Sequence, residues 1–326
     1  MRAFITGATG FIGSFLAEEL CKTGYQVRCL VRKSSDLRWI RELDLDFHFG
    51  SLLDIDSLQK GLQDCQYIYH LAGLTKARTE QEYFKGNYEG TKNLVDAALL
   101  YKNRIKRFIY MGSQAAAGPS PSIKAIDENH TPHPLTYYGK SKLAGEEYVQ
   151  KHSSQLPVTI IRPPAVYGPR DKDVLEFFRT VSKGIIPRLG AKEQYLSLVH
   201  VKDLVRGILL AGQNEKAKGQ TYFICNEHPY SWDEVSQTTL KILNKKGIRI
   251  PVPLTLIKII AVIGESIAAI SKKPALVNKQ KVIEMQQTYW TCSPEKVKKE
   301  LGFINEISLE QGIRETIAWY KEQKWM

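Results

Sequence analysis

The stretch Met1-Arg-Ala-Phe-Ile-Thr-Gly-Ala-Thr-Gly-Phe-Ile-Gly13 holds a short apolar run, a turn of glycines and the start of a helical pattern. Ala3, Phe4 and Ile5 read as a buried strand stopped at once by turn residues. Phe11, Phe15, Leu16 and Leu20 then return at helical spacing, with Glu18, Glu19 and Lys22 between them. Gly7, Gly10 and Gly13 let the chain turn tightly between strand and helix. They also let backbone N–H groups approach a pyrophosphate, which then faces the positive end of the helix. The spacing G-x-x-G-x-x-G departs from the commoner G-x-G-x-x-G, and the same glycines also suit a turn made for packing alone.

Outward from this turn the chain keeps one rhythm. Apolar runs at 25–31, 45–49, 67–71, 108–111 and 157–161 read as further strands. Helical patterns lie between them near 55–62, 80–101 and 136–152. Strands alternating with helices at this pace predict an α/β fold, a Rossmann-type doubly wound parallel sheet with helices on both faces. After Arg162-Pro-Pro-Ala-Val-Tyr-Gly-Pro169 the rhythm loosens. Helices are expected near 173–183, 201–212, 231–244, 252–270 and 308–322, and a strand near 220–225 returns to the sheet. The expected division is a nucleotide-binding domain over 1–170, rejoined by about 199–225, and a smaller C-terminal substrate domain from 171–198 and 226–326.

The chain has 326 residues, 43% hydrophobic and 25% charged, ordinary for a globular enzyme with ample core. Five scattered cysteines without C-x-x-C spacing read as reduced thiols of a cytoplasmic protein, and they offer no metal site. No charged-then-apolar leader precedes the first strand, so no signal peptide is expected. Net charge is +12, and residues 241–300 hold twelve Lys or Arg against four acids. Such a surface favours anionic ligands or anionic membrane, or is simply a solvated face. No nucleic-acid motif accompanies it. In 252–270, Leu254, Leu256, Ile257, Ile259, Ile260, Val262, Ile263, Ile267 and Ile270 cover most of a helix circumference. Lys258 and Glu265 make it a poor transmembrane span. The reading is a buried helix; the alternatives are a wall of an apolar pocket, or peripheral membrane contact through 252–273.

The chemistry-bearing residues are Tyr138 and Lys142, four apart and on one face of the helix that follows the fifth strand. A phenol has a pKa near ~10, and a fixed positive charge beside it makes it a better proton carrier near neutral pH. Lys142 is expected to supply that charge. Ser113 follows the strand at 108–111, at the carboxyl end where open α/β sheets bind ligands. Its hydroxyl can bond a substrate oxygen while Tyr138 moves the proton.

Together, Thr6-Gly-x-x-Gly-x-x-Gly13, Ser113 and Tyr138-x-x-x-Lys142 resemble the extended short-chain dehydrogenase/reductase family, of the NAD-dependent epimerase/dehydratase type. The resemblance extends through His70-Leu-Ala-Gly73, Asn87-Tyr-Glu-Gly-Thr91, Arg162-Pro-x-x-Val-Tyr-Gly-Pro169 and Val199-His-Val-x-Asp203. It implies Ser113, Tyr138 and Lys142 as a catalytic triad and NAD(P) bound across the sheet. The matching cofactor positions are Gly7, Thr9, Gly10, Phe11, Ile12, Gly13, Arg32, Lys33, Ser51, Leu52, Leu71, Ala72, Gly73, Tyr138, Lys142, Pro163 and Val166. It also implies a homodimer through the helices near 80–101 and 136–152.

Departures from the family pattern narrow the activity. Sugar-nucleotide dehydratases carry Thr-Asp-Glu where this chain has Ser113-Gln114-Ala115, so elimination of water lacks its proton donor and acceptor. Nucleotide-sugar members place an Arg where this chain has Leu196, although Arg170 or Arg188 could serve phosphates instead. Gly50-Ser51-Leu52 replaces the usual Gly-Asp-Leu. The tail, with Trp290, Trp319 and Trp325, looks more like the 3β-hydroxysteroid dehydrogenase and dihydroflavonol reductase branch. The expected activity is interconversion of a secondary alcohol and a ketone on a steroid-, terpenoid- or flavonoid-like substrate. A nucleotide-sugar epimerase with the same triad and a non-catalytic dinucleotide-binding sensor are the alternatives. NAD-preferring domains place an acid about ~20 residues beyond the glycines. Here the second strand ends in Arg32-Lys33-Ser34, with no acid before Asp36, which favours NADP over NAD.

Overall fold

The computed structural model describes residues 1–190, 192–271 and 278–326, the side chains of 266–271 excepted. Lys272 and Lys273, the basic end of the stretch 252–273, lie outside the described residues. Strands β1 (Arg2–Thr6), β2 (Gln26–Val31), β3 (Leu45–Phe49), β4 (Tyr67–His70), β5 (Arg107–Met111) and β6 (Val158–Arg162) alternate with helices. The helices are α1 (Phe11–Lys22), α2 (Ile55–Leu62), α3 (Glu80–Phe84), α4 (Gly90–Leu99), the short α5 (Gln114–Ala117) and α6 (Tyr137–Lys151).

After β7 (Ala165–Tyr167) come α7 (Leu175–Ser182), β8 (Ile185–Leu189), β9 (Tyr195–Leu196), β10 (Leu198–His200) and α8 (Val201–Gln213). Strand β11 (Thr221–Phe223) follows, then β12 (Tyr230–Ser231), α9 (Trp232–Leu243), β13 (Ile248–Val252) and α10 (Leu254–Ser271). The chain closes with α11 (Lys279–Met285), β14 (Tyr289–Trp290), α12 (Glu295–Leu301) and α13 (Leu309–Glu322).

The central sheet has seven strands in the order β11-β6-β5-β4-β1-β2-β3. All of its pairings are parallel. All carboxyl ends therefore meet along one edge, and the order turns back at β1 and β4, where a crevice forms. β5 and β6 are buried at every residue, as strands covered on both faces must be. One apolar layer joins α1 and α8 to the sheet through Phe15, Leu16, Leu20, Val205 and Ile208. The other uses Leu58, Leu62, Leu94, Val95 and Val149 from α2, α4 and α6.

A separate cluster gathers Phe178, Leu196, Val235, Ile313, Ile317 and Tyr320 from the later elements, with Trp232, Trp290, Trp319 and Trp325 against it. Around α12, Val297, Leu301 and Phe303 pack into the first sheet layer. Their apolar side chains cover the face of β11 that an edge strand would otherwise expose.

Helix α10 corrects the sequence reading of a buried helix. Ile257 and Ala261 point inward. Leu256, Ile259, Ile260 and Ile263 remain 48%, 56%, 47% and 54% exposed. An apolar circumference fixes which residues are hydrophobic but not which of them finds a partner.

Candidate active site

The edge formed by the strand ends collects the expected cofactor residues. Gly7 has φ of 80°, and a Cβ there would lie 2.6 Å from the Ala72 nitrogen at the end of β4. A Cβ on Gly13 would come within 2.1 Å of the Gly7 oxygen. These two glycines close the turn against β4. Gly10 is exposed and serves as N-cap of α1 without a side-chain cap, and no acid stands in the first turn. The positive end of α1 thus faces the crevice with Thr9, Phe11 and Ile12 around it, a cradle that fits a pyrophosphate.

Arg32 and Lys33 stand exposed at the end of β2, and among the described residues neither side chain has a hydrogen bond or ion pair. The first acid beyond them, Asp36, is held by Arg38 Nε at 2.6 Å. Ser51 follows β3, where its hydroxyl accepts from the Leu53 amide at 3.2 Å, and Leu52 takes a bond from Asn93 on α4. Leu71, Ala72 and Gly73 follow β4; Pro163 follows β6 and accepts from the Gln114 amide, and Val166 lies in β7.

Ser113 and Tyr138 come together. Ser113 caps α5, accepting from the Ala115 amide at 3.1 Å, and its hydroxyl is the polar neighbour that favours the Tyr138 phenolate. Tyr138 sits in the first turn of α6, whose N-cap Thr136 accepts from the Gly139 amide. Burial pushes the phenol up to about 12, against the pull of the Ser113 hydroxyl; Glu284, Tyr83 and Asp173 add to the rise. Lys142 lies one turn further along α6, on the same face as Tyr138. The Lys142 ammonium lies over the Tyr110 ring, 4.5 Å from its centroid, and 3.7 Å from where a Gly73 Cβ would be. Both contacts put the ammonium in the crevice at the carboxyl ends of β4 and β5. Burial lowers Lys142 to about 8, with the Glu146 carboxylate pushing it back up.

Several functional residues were not singled out from sequence. Glu146, one turn beyond Lys142, forms a buried pair with Arg162 of β6, whose Nε lies 3.0 and 3.1 Å from the two carboxylate oxygens. Both side chains are 6% exposed. A second buried chain runs under the crevice. The Thr91 hydroxyl donates to the Asn87 carbonyl at 2.6 Å, so it must accept from His70 Nε2 at 2.9 Å. His70 then accepts at Nδ1 from Thr6, 2.7 Å away. Burial lowers His70 to about 3, so it stays neutral as this pattern requires. Asn87 lies in a π-turn, Lys85–Glu89, between α3 and α4. Its amide nitrogen donates to Ser141 at 2.9 Å, and Ser141 donates to the Tyr138 carbonyl at 2.8 Å. The motifs around His70 and Asn87 are thereby one bonded path from β1 to the catalytic helix.

Helix α11 roofs the site. Gln280 accepts from the Tyr137 amide at 2.8 Å, and the Thr136 hydroxyl donates to Glu284 at 3.3 Å. Lys76 and Asp173, 2.5 Å apart, join two further loops beside Tyr138. Leu196 is 5% exposed, packed with Phe178 and Val235. Arg170, one of the two arginines considered for phosphate, bonds Ser14 at 3.0 Å and Glu18 at 2.5 Å. Among the described residues no cluster of His, Cys, Asp and Glu could hold a metal ion. Nor is any of their helices long and apolar enough to cross a membrane.

A profile of the NAD dependent epimerase/dehydratase family matches residues 3–225. The ceramide reductase of Caulobacter vibrioides is 26% identical over 99% of this chain and 95% of its own length. The decarboxylating sterol-4-alpha-carboxylate 3-dehydrogenase of Dictyostelium discoideum is 27% identical over 96% of this chain and 98% of its own. A crystal structure of the Thermotoga maritima UDP-glucose 4-epimerase with UDP-glucose superposes with a TM-score of 0.82 at 22% identity, covering 99% of this chain and 100% of that one. That likeness speaks for the fold.

Proposed function

The chain belongs to the NAD dependent epimerase/dehydratase family, and from that premise we propose that it interconverts a secondary alcohol and a ketone on a largely apolar, lipid-like substrate. The observation that carries this reading is the Tyr138 phenol in the first turn of α6, beside the Ser113 hydroxyl and held protonated by burial, with the buried Lys142 ammonium one turn on. Bound NAD(P) supplies the hydride donor or acceptor. In ketone reduction Ser113 Oγ donates a hydrogen bond to the carbonyl oxygen, and Tyr138 Oη gives that oxygen its proton. The Lys142 ammonium stabilises the phenolate left behind, and the Glu146–Arg162 pair fixes the turn of α6 that carries it. Oxidation runs the same proton in reverse.

Relatives that act by name on ceramide and sterol support the apolar substrate, as does the buried Leu196. Family membership gives NAD dependence. The finer reading is NADP, supported by Arg32 and Lys33, exposed and unpaired among the described residues where an acid would otherwise meet the ribose. The epimerase reading needs the same three residues, Ser113, Tyr138 and Lys142. Calorimetric titration separates the two: apolar ketones should bind with cofactor present and UDP-hexoses weakly. Micromolar UDP-hexose affinity would favour the epimerase.

A further inference from the structure

Helix α10 carries more of its apolar surface outside than inside. At 100° per residue, Ile257, Ala261 and Leu254 form the inward seam, packed on Val282 and Met285 of α11 and on Leu189 and Val252. Leu256 with Ile260, and Ile259 with Ile263, form two adjacent ridges on the opposite side, each residue about half exposed. No acid stands on these ridges. Glu265, at the edge of the seam, is turned toward α11, where it accepts from the Lys279 amide at 2.8 Å. On the flank of α10 that carries Glu265 the cations reach furthest out. Lys258 is exposed, with no partner among the described residues. Lys279, which meets Glu265 there, is 69% exposed against 36% for the acid. An apolar ridge with ammonium groups at its border matches an anionic bilayer interface, where aliphatic side chains enter the acyl boundary and lysines meet headgroup phosphates.

The position of the helix adds meaning to its surface. The seam of α10 rests on α11, and α11 is bonded to the first turn of α6 through Gln280 and Glu284, beside Tyr138. One helix layer therefore separates the apolar ridges from the catalytic phenol. We propose that the outer face of α10 docks reversibly on anionic membrane and sets the catalytic cleft against lipid alcohols or ketones dissolved there. The docking stands on the surface alone; delivery of a lipid substrate rests on the oxidoreductase reading above.

The test is co-sedimentation of the full chain with vesicles of phosphatidylcholine, with and without phosphatidylglycerol, at low and high salt. Binding should appear with phosphatidylglycerol at low salt and weaken with salt. Ile259→Asp with Ile263→Asp should reduce it at least ~100-fold, and Lys258→Gln about fivefold. Unchanged melting and NADPH fluorescence would show that these surface variants are folded. No sedimentation of the parent at low salt would overturn the proposal, as would an Asp variant that sediments like the parent. A parent dimer that the Asp variant splits, with no vesicle binding, would assign the face to a second copy and also overturn it. Vesicle binding is read without turnover, so its failure is distinct from failure of the activity. With a ketone embedded in vesicles, the Asp variant should raise KM and leave kcat on a detergent-dispersed ketone unchanged.

Discussion

Replacing Lys142 with Met is expected to make the protein both more stable and inactive. The side chain is 4% exposed, and burial brings the ammonium from 10.5 to about 8. Each unit of such a shift is ~1.36 kcal/mol, so keeping the charged form inside costs roughly 3 kcal/mol at pH 7. The attraction of the ammonium to the Tyr110 ring offsets about 1 kcal/mol of that. Met has nearly the same length and no charge, so the variant should gain about 2 kcal/mol in unfolding free energy at pH 7. The sign of the pH dependence follows from the lowered value. Between about 8 and 10.5 the unfolded chain binds more protons than the folded one, so the parent gains stability as pH rises through that window. The gap between variant and parent should therefore close over the same window. Urea unfolding of both proteins from pH 7 to pH 10.5 measures it. A variant less stable than the parent at pH 7, or a gap that ignores pH, would refute the picture of a buried, strained ammonium.

Three further outcomes are expected. Ketone reduction should be level near neutral pH and decline as pH passes about 8, where Lys142 loses its proton while the Tyr138 phenol keeps its own; in Glu146→Gln the decline should move to lower pH, because the carboxylate that supports the ammonium is gone, and a pH–rate profile of the two proteins decides it. Arg162→Leu should destabilise by about 3–5 kcal/mol, since it leaves the Glu146 carboxylate buried without its partner, and thermal or urea unfolding reads this directly. The parent should bind NADPH more tightly than NADH, with the preference relaxed or reversed in Arg32→Asp; equal dissociation constants in the parent, measured by cofactor fluorescence, would remove Arg32 from the choice.

How much of this was legible in the sequence depended on how local the signal is. The glycine turn, the six strands that open the fold and the Tyr138–Lys142 spacing are short-range patterns, and the structure places them in one parallel sheet with a single ligand edge. The π-turn at Lys85–Glu89 was hidden, because one extra residue hardly disturbs an apolar periodicity running from 80 to 101. The two-residue strands β9, β12 and β14 are shorter than one alternation and leave no pattern. Nothing local marks Glu146 on α6, and only the arrival of β6 beside it supplies Arg162. Glu284 is 146 residues from Tyr138 along the chain, and nothing local predicts that α11 roofs the phenol. The outward face of α10 was undecided for a different reason: a helix apolar nearly all round carries no marker of its inner side.

The central claim is net hydride exchange with an apolar alcohol or ketone, moved with a proton through Tyr138. The measurement that meets it most directly is nicotinamide absorbance during turnover of long-chain and sterol ketones, in the parent and in Tyr138→Phe, with UDP-glucose in a parallel assay. The account predicts stoichiometric loss of reduced cofactor with an apolar ketone, and a fall of ~10²–10⁴ in turnover for Tyr138→Phe with cofactor binding retained. Epimerised UDP-glucose with no net change in cofactor, and no consumption with any apolar ketone, would contradict it.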